Sequence, residues 1–330
     1  MKKILLIGTG SIAERHLKNI IKLDRSADIS VYSRDERRAK NFSKKFKKKI
    51  NIEKKGIRKK YFTHIIIASR TSSHNKHLKL LSKNGKNIYC EKPLPWDNDI
   101  KILKNKSFLK INNFKIKIGY QIRFNPAIKY LVKELLKKEN KKIFLVKILC
   151  GQNLKDWRKN SDYKKLYSAG KKNYGAVYWE LSHEIDLLNH LLGKITTVYS
   201  EHKNTENLKI KVHDLSNTIL NFKNKKISCS ISLEMISPIL YRKLIVVTTS
   251  NFYEIDLVNN TVLKKNKIRS KYLKFKSDRN KMFKEYMKNF LSNKKYSKNF
   301  PFANLRDGLN TSEVINAMIK SNKTNKLVRL

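Results

Sequence analysis

The sequence predicts an α/β protein: a doubly wound parallel sheet at the N-terminus, followed by an α+β domain with a large, mostly antiparallel sheet. Three observations carry this. A short apolar strand, Ile4 to Ile7, runs directly into a glycine turn and an amphipathic helix. Strand and helix periods then alternate as far as residue 120. From residue 207 onward, alternating strands separated by short polar turns dominate. The expected domains are therefore 1–120 and 121–330, with the C-terminal helix packing back on the first.

Taken in order, the opening strand meets Gly8-Thr9-Gly10-Ser11-Ile12-Ala13, a G-x-G-x-x-A dinucleotide fingerprint. Gly8 permits the tight turn, Gly10 lets the backbone approach a pyrophosphate, and the small Ala13 lets helix and strand pack closely. The N–H groups of the helix start at Ser11 and Ile12 face the phosphates. This first half thus reads as a Rossmann domain. The next strand, "DISVYS", ends on Ser33-Arg34 with Arg37 and Arg38 following, where an NAD-binding chain usually has an acid. Serine and arginine suit a 2′-phosphate, so NADP is the expected cofactor, with NAD the alternative that Asp35 keeps open. "THIIIAS" is a continuous apolar run, as for a parallel strand covered on both faces. "NIYCEKP" and "FKIKIGY" supply two further strands, with Gly85 ending the helix between. Gly8–Ala13, Ser33–Arg34, Ser69–His74 and Glu91–Pro93 all fall at carboxyl ends of strands, where such sheets bind ligands.

In the second half, "VYWELSHEIDLLNHLLG" reads as one helix closed by Gly193. Glu180, His183 and Asp186 are three apart and share a face, with Trp179 four before the histidine. A carboxylate beside an imidazole orients it and raises its basicity. The other histidines apart from His74 (His16, His64, His77, His190, His202 and His213) suit surface or core roles. His183 and His190 are seven apart, which lacks zinc-helix spacing, so no metal is expected.

Composition narrows the partners. The net charge of +49 over 330 residues invites a nucleic-acid reading. The lysines spread over nearly every segment, however, and no dedicated basic face emerges, so no specific nucleic acid is expected. Three cysteines, far apart and odd in number, indicate neither a disulfide framework nor a zinc site. No run of about 18 apolar residues occurs, so no membrane span is expected. The opening apolar stretch is too short for a signal peptide, and the expected location is cytoplasmic.

The fingerprint, "ASRTSSH", "GKNIYCEKPL", "GYQIRFNPA", "DWRKNSDYKKLYSAG" and "ELSHEIDLLNHLLG" together resemble the Gfo/Idh/MocA oxidoreductases. The last two motifs are similar to a branch often found with surface-polysaccharide genes. The resemblance implies hydride transfer between a nicotinamide and a secondary alcohol or ketone of a sugar. It implies a cis bond at Pro93, proton handling by Lys92 with His183 and Glu180, and dimers or tetramers formed through the C-terminal sheet. Cofactor contacts would come from Gly8, Gly10, Ser11, Ile12, Ser33, Arg34, Arg38, Ser69, Thr71, His74, Glu91, Lys92 and Gln121. Arg123, Trp157, Arg158, Tyr163, Tyr167 and Asp186 would hold a sugar or sugar nucleotide, the arginines taking anionic groups and the tyrosines the ring. The family's commoner D-x-x-x-H pattern places an acid where this chain has Trp179, which leaves the role of Glu180 open. An inositol or free-sugar dehydrogenase is the nearest alternative, and a non-catalytic NADP-binding sensor or scaffold the alternative of another class.

Overall fold

The computed structural model describes residues 1–54, 57–157, 162–171, 174–223, 225–292 and 301–330. In chain order its elements begin with β1 (Lys3–Ile7), α1 (Ser11–Leu23), β2 (Asp28–Tyr32), α2 (Glu36–Ser43), β3 (Asn51–Glu53) and β4 (Phe62–Ile67). Then follow α3 (His74–Leu81), β5 (Gly85–Cys90), α4 (Ile100–Leu103), α5 (Lys106–Asn112), β6 (Ile116–Ile118) and α6 (Pro126–Leu135). The middle of the chain forms β7 (Ile143–Gly151), α7 (Val177–Glu180), α8 (Ser182–Leu192), β8 (Ile195–Lys203), β9 (Leu215–Phe222) and β10 (Lys225–Glu234). The remainder is β11 (Tyr241–Thr248), β12 (Phe252–Asp256), β13 (Thr261–Lys265), β14 (Ser270–Lys274), α9 (Arg279–Leu291), β15 (Ala303–Asn304), α10 (Leu305–Thr324) and β16 (Val328–Arg329).

Two compact units result, Met1–Gln121 with Arg279–Leu309, and Ile122–Asp278 with Asn310–Leu330. The first is built on the sheet β15-β6-β5-β4-β1-β2-β3. All its pairings are parallel except that of β15. The order reverses between β1 and β4, which opens a crevice at their carboxyl ends. Ile4 to Ile7 and Ile65 to Ile67 are almost wholly buried, because helices cover both faces of the parallel strands. One side of the core gathers Leu5, Ile65, Leu78, Ile88, Leu94 and Leu103.

The second unit is built on a nine-stranded sheet, β14-β13-β12-β11-β7-β10-β9-β8-β16. Its pairs are antiparallel except β7 with β10. Period-two alternation is plain in β9, where Ser216, Thr218, Leu220 and Phe222 are buried and Asn217, Ile219 and Asn221 are exposed. The sheet also takes in β7 and β8, which lie before residue 207, whereas 207–214 precedes β9 and forms no strand. Gly85 opens β5 and does not end α3, which closes at Leu81. The three cysteines are free and buried. Among the described residues no helix is long and apolar enough to cross a membrane.

Candidate active site

The fingerprint forms the turn its spacing predicts. Gly8 has φ +111°, and a Cβ there would lie 2.4 Å from the Ala68 carbonyl oxygen at the end of β4. Only glycine lets these two strand ends approach so closely. Gly10 is the opposite case: a Cβ on it would meet nothing within 4 Å. Its backbone borders open space at the start of the 13-residue α1, whose first turn receives no side-chain cap. Unclaimed N–H groups facing that space are what a pyrophosphate requires. Ser11 is exposed and Ile12 half-buried there, while Ala13 is fully buried against the sheet. The residues present therefore fit a dinucleotide.

At the end of β2, Ser33 is half-buried and Arg34, Arg37 and Arg38 are exposed. The Asp35 carboxylate accepts from the Arg37 and Arg38 backbone N–H groups at 3.0 and 3.4 Å, capping α2. The Asp35 side chain is thus engaged as the N-cap of α2.

The loop after β4 is held from behind. Thr71 is buried, and the Ser69 hydroxyl lies 3.1 Å from His77 Nδ1. Burial holds the His77 imidazole down to about 4, with the charges of His74, Lys76 and Arg34 adding to it. His74 is 1% exposed, and its ring nitrogens face the carbonyl oxygens of Pro93 (2.9 Å) and Ser69 (3.1 Å). With both nitrogens directed at backbone, His74 ties the β4 loop to the β5 loop.

Beyond β5, Lys92–Pro93 is a cis peptide bond, as the resemblance implied. Lys92 is half-buried and Glu91 buried. Glu91 Oε1 lies 2.6 Å from His16 Nε2 and accepts from the Tyr89 hydroxyl at 2.5 Å and from Gln121 Nε2 at 3.2 Å. Gln121 Nε2 also donates to the Tyr89 hydroxyl oxygen. Burial alone would raise the Glu91 carboxyl, but His16, Tyr89 and the Lys92 charge outweigh it and hold the group below the usual range. Glu91 and the 2%-exposed Gln121, both expected at the cofactor, share this buried network.

In the second unit the expected single helix is broken. Leu181, at φ −96° and ψ 33°, separates α7 from α8. The spacing from Glu180 and Trp179 to His183 therefore crosses a joint and is not that of one helical face. From Val177 to Leu188 every residue is buried except His183, which is half-buried. Asp186, one turn beyond, takes two hydrogen bonds from Arg123, at 2.8 Å from Nε and 2.6 Å from Nη2. Both partners are nearly inaccessible, and the pair anchors α8. Glu184 faces Arg242 Nε at 2.7 Å on β11. Two arginines thus hold α8 just beyond the histidine, at Glu184 and Asp186.

Of the remaining expected substrate contacts, Tyr163 donates its hydroxyl to the Leu208 carbonyl at 3.1 Å and anchors its loop. Trp157 is half-buried and Tyr167 is 39% exposed. Arg158 lies outside the described residues. Sequence reasoning missed His16, Tyr89, Glu184 and Arg242. His16 falls on the buried stripe Ala13, His16, Leu17, Ile20 of α1, so its burial was legible, but its acidic partner 75 positions away was not.

Comparison with known proteins agrees with this anatomy. Residues 2–104 match the oxidoreductase family GFO_IDH_MocA, NAD-binding Rossmann fold, and residues 142–330 match its C-terminal alpha/beta domain. Glucose-6-phosphate 3-dehydrogenase of Bacillus subtilis (strain 168) is 24% identical over 215 residues, which is 64% of this chain. The match spans 58% of that relative's length. A levoglucosan dehydrogenase in complex with NADH superposes with a TM-score of 0.82 at 14% identity, covering 99% of this chain and 98% of that one. The WlbA dehydrogenase from Bordetella pertussis, in complex with NADH and UDP-GlcNAcA, gives 0.79 at 15% identity, covering 100% and 97%. At such identities the likeness to the solved structures is one of fold. The two domain matches together take in most of the sequence, and the chain belongs to the Gfo/Idh/MocA oxidoreductase family.

Proposed function

We propose that this chain is an NADP-preferring oxidoreductase acting on a secondary alcohol or ketone of a sugar, with a phosphorylated or nucleotide-linked sugar as the favoured class. The observation that carries the reading is Lys92. It stands at the carboxyl end of β5, held between a buried carboxylate and a cis-proline, in the same sheet as the open Gly10 turn. Bound at that turn, the dinucleotide supplies the hydride donor or acceptor. Lys92 and His183 hold and move the proton of the substrate oxygen, and Glu180 is assigned a supporting part. Gly8, Gly10, Ser11, Ile12, Ser69 and Thr71 shape the cofactor turn, and Ser33, Arg34 and Arg38 receive the 2′-phosphate. Arg123, Trp157, Arg158, Tyr163, Tyr167 and Asp186 are assigned to the sugar.

An anionic sugar is favoured because the chain carries +49, which draws anions by long-range attraction. The names of two relatives, glucose-6-phosphate 3-dehydrogenase and a dehydrogenase solved with UDP-GlcNAcA, support the same class. A role in surface-polysaccharide sugar synthesis, in the cytoplasm, follows from that reading. The open face of the second unit's sheet carries a cross-strand row Tyr199, Ile219, Ser230, Lys147, Ile245, Glu254, Leu263 and Tyr272. Tyr199, Ile219 and Tyr272 are exposed by 43%, 57% and 65%, which supports self-association into a dimer or tetramer through this face.

Fluorescence titration with NADPH and NADH, then turnover on sugar phosphates, sugar nucleotides and polyols, tests the proposal. NADPH is expected to bind the wild type more tightly. Replacing Arg34 and Arg38 by Ala should weaken NADPH by about tenfold or more and leave NADH within about twofold. Tighter binding of NADH to the wild type would overturn the NADP assignment, and preference for polyols would favour an inositol or free-sugar dehydrogenase.

A further inference from the structure

Charge by itself singles out no surface on a chain of +49, because its lysines lie in nearly every segment. The hairpin of β13 and β14 stands out for what accompanies its charge. Residues 265–274 hold Lys265, Lys267, Arg269, Lys271 and Lys274 and no carboxylate. All five cations are exposed, and none makes an ion pair among the described residues. The carboxylates of Glu134 and Glu139 are taken by the neighbouring Lys264, at 2.7 and 3.4 Å. At the turn between the strands, Ile268 is 88% exposed, the most exposed large apolar side chain among the described residues. The turn does not need it. Asn266 makes the bend: its Oδ1 accepts from the Ile268 and Arg269 backbone N–H groups at 2.9 and 2.8 Å, and its own N–H donates to the Arg269 carbonyl at 3.0 Å. The position Ile268 fills favours glycine, asparagine, aspartate or serine. β14 is the outermost strand of its sheet, and lysines on an edge strand guard it against pairing with another chain. That role accounts for Lys271 and Lys274, but not for an isoleucine presented at the apex between Lys267 and Arg269.

We propose that this hairpin is a membrane-surface contact: Ile268 enters the headgroup layer of an anionic phospholipid bilayer while the five cations lie against its phosphates. The charge of the hairpin is complementary to such a surface. Long basic side chains lay their methylene stems along an apolar layer and keep their heads at its polar boundary, so cations on both sides of an apolar apex suit that boundary. A nucleic-acid backbone would match the cations but gives an aliphatic apex no layer to enter. Each cation within about 10 Å of an anionic surface contributes about fivefold in affinity, and cations farther away are screened by salt. The hairpin's share therefore exceeds that of lysines scattered over the rest of the chain. The contact is peripheral and reversible, since one apolar side chain and five cations fall far short of a spanning helix. Lys267, Ile268 and Arg269 lie outside the cross-strand row assigned to self-association, so the two surfaces are separate.

Co-sedimentation of the full chain with lipid vesicles tests this. The wild type should bind vesicles of phosphatidylcholine mixed with phosphatidylglycerol, release them as salt is raised, and leave phosphatidylcholine alone unbound. Two charge variants are then compared. One replaces Lys265, Lys267, Arg269, Lys271 and Lys274 by Gln. The other replaces Lys83, Lys86, Lys101, Lys106 and Lys110 by Gln, which are also exposed and remove the same charge from the other unit. The hairpin variant should bind about tenfold more weakly or worse, and the control should stay within about twofold of wild type. Ile268→Ser should weaken binding by about threefold or more, and it carries the test if the hairpin charge variant does not fold. In Ile268→Trp, the vesicles should add a blue-shifted fluorescence that the wild type lacks. Equal losses in the two charge variants overturn the inference, because diffuse charge would then carry the binding. So does an Ile268→Ser chain that binds like the wild type, or a wild type that leaves the anionic vesicles unbound. A hairpin charge variant that loses binding to polyuridylate RNA but keeps the vesicles also overturns it, and would assign the surface to nucleic acid.

Discussion

Each unit buries a carboxylate near its proposed catalytic side chain, and the two solve the same problem with different chemistry. Glu91 is compensated by an imidazole, a phenol and a carboxamide. Asp186 is compensated by one guanidinium through two short hydrogen bonds. The first arrangement spreads the compensation over side chains from α1, β5 and the segment after β6. The second anchors α8 just after His183 through a single ion pair. One network ties three segments of its unit together, and the other holds one helix in place.

The largest effect should come from breaking the scaffold pair. Arg123→Met leaves Asp186 buried and uncompensated, and is expected to destabilise the fold by about 3–5 kcal/mol in urea unfolding. Adding Asp186→Leu should recover most of that loss, because the pair's net contribution is far smaller than the cost of an orphaned charge. If the double variant is as unstable as the single one, Arg123 acts through something other than Asp186.

A smaller effect separates titrating from non-titrating groups. Burial, aided by the charge of His213, holds His202 down to about 3, and burial with the Arg123 charge holds His190 down to about 3. Unfolded histidines bind protons below about 6.5, so between there and about 3 the unfolded chain binds more protons than the folded one. Stability is therefore fully present above about pH 6.5 and is lost as the pH falls from there toward about 3. His202→Phe keeps a ring against Tyr178, whose ring lies 4.5 Å from the imidazole, but removes the titration. Its melting temperature should fall less between pH 7.5 and pH 5 than that of the wild type, and an equal fall would remove His202 from the account.

The comparison also shows what the sequence could reveal. The first unit was legible because its signals are local: a strand, two glycines at fixed spacing, and a Glu-Lys-Pro after an apolar run. The glycine turn has a backbone consequence that the structure bears out in the φ of Gly8, and the cis bond at Pro93 is the one the family resemblance implied. The second unit was read less well, because its determinants act across long separations. Arg123 finds Asp186 63 positions away, and Arg242 finds Glu184 from the far side of the domain's sequence. The break at Leu181 carries no proline or glycine to announce it. β7 and β8 escaped notice because each adjoins helical segments and stands apart from the run of alternating strands after residue 207. The hydrogen bonds of His74 and Gln121 were not legible, because sequence position says where a side chain starts and not which way it turns.

The central claim is that Lys92 moves the proton during hydride transfer. Once the panel has identified a substrate, the direct measurement is single-turnover hydride transfer in Lys92→Met, with NADPH affinity determined in parallel. The account predicts a rate lower by about 10²–10⁴-fold with cofactor affinity within about twofold of wild type. A variant that transfers hydride at the wild-type rate would contradict it.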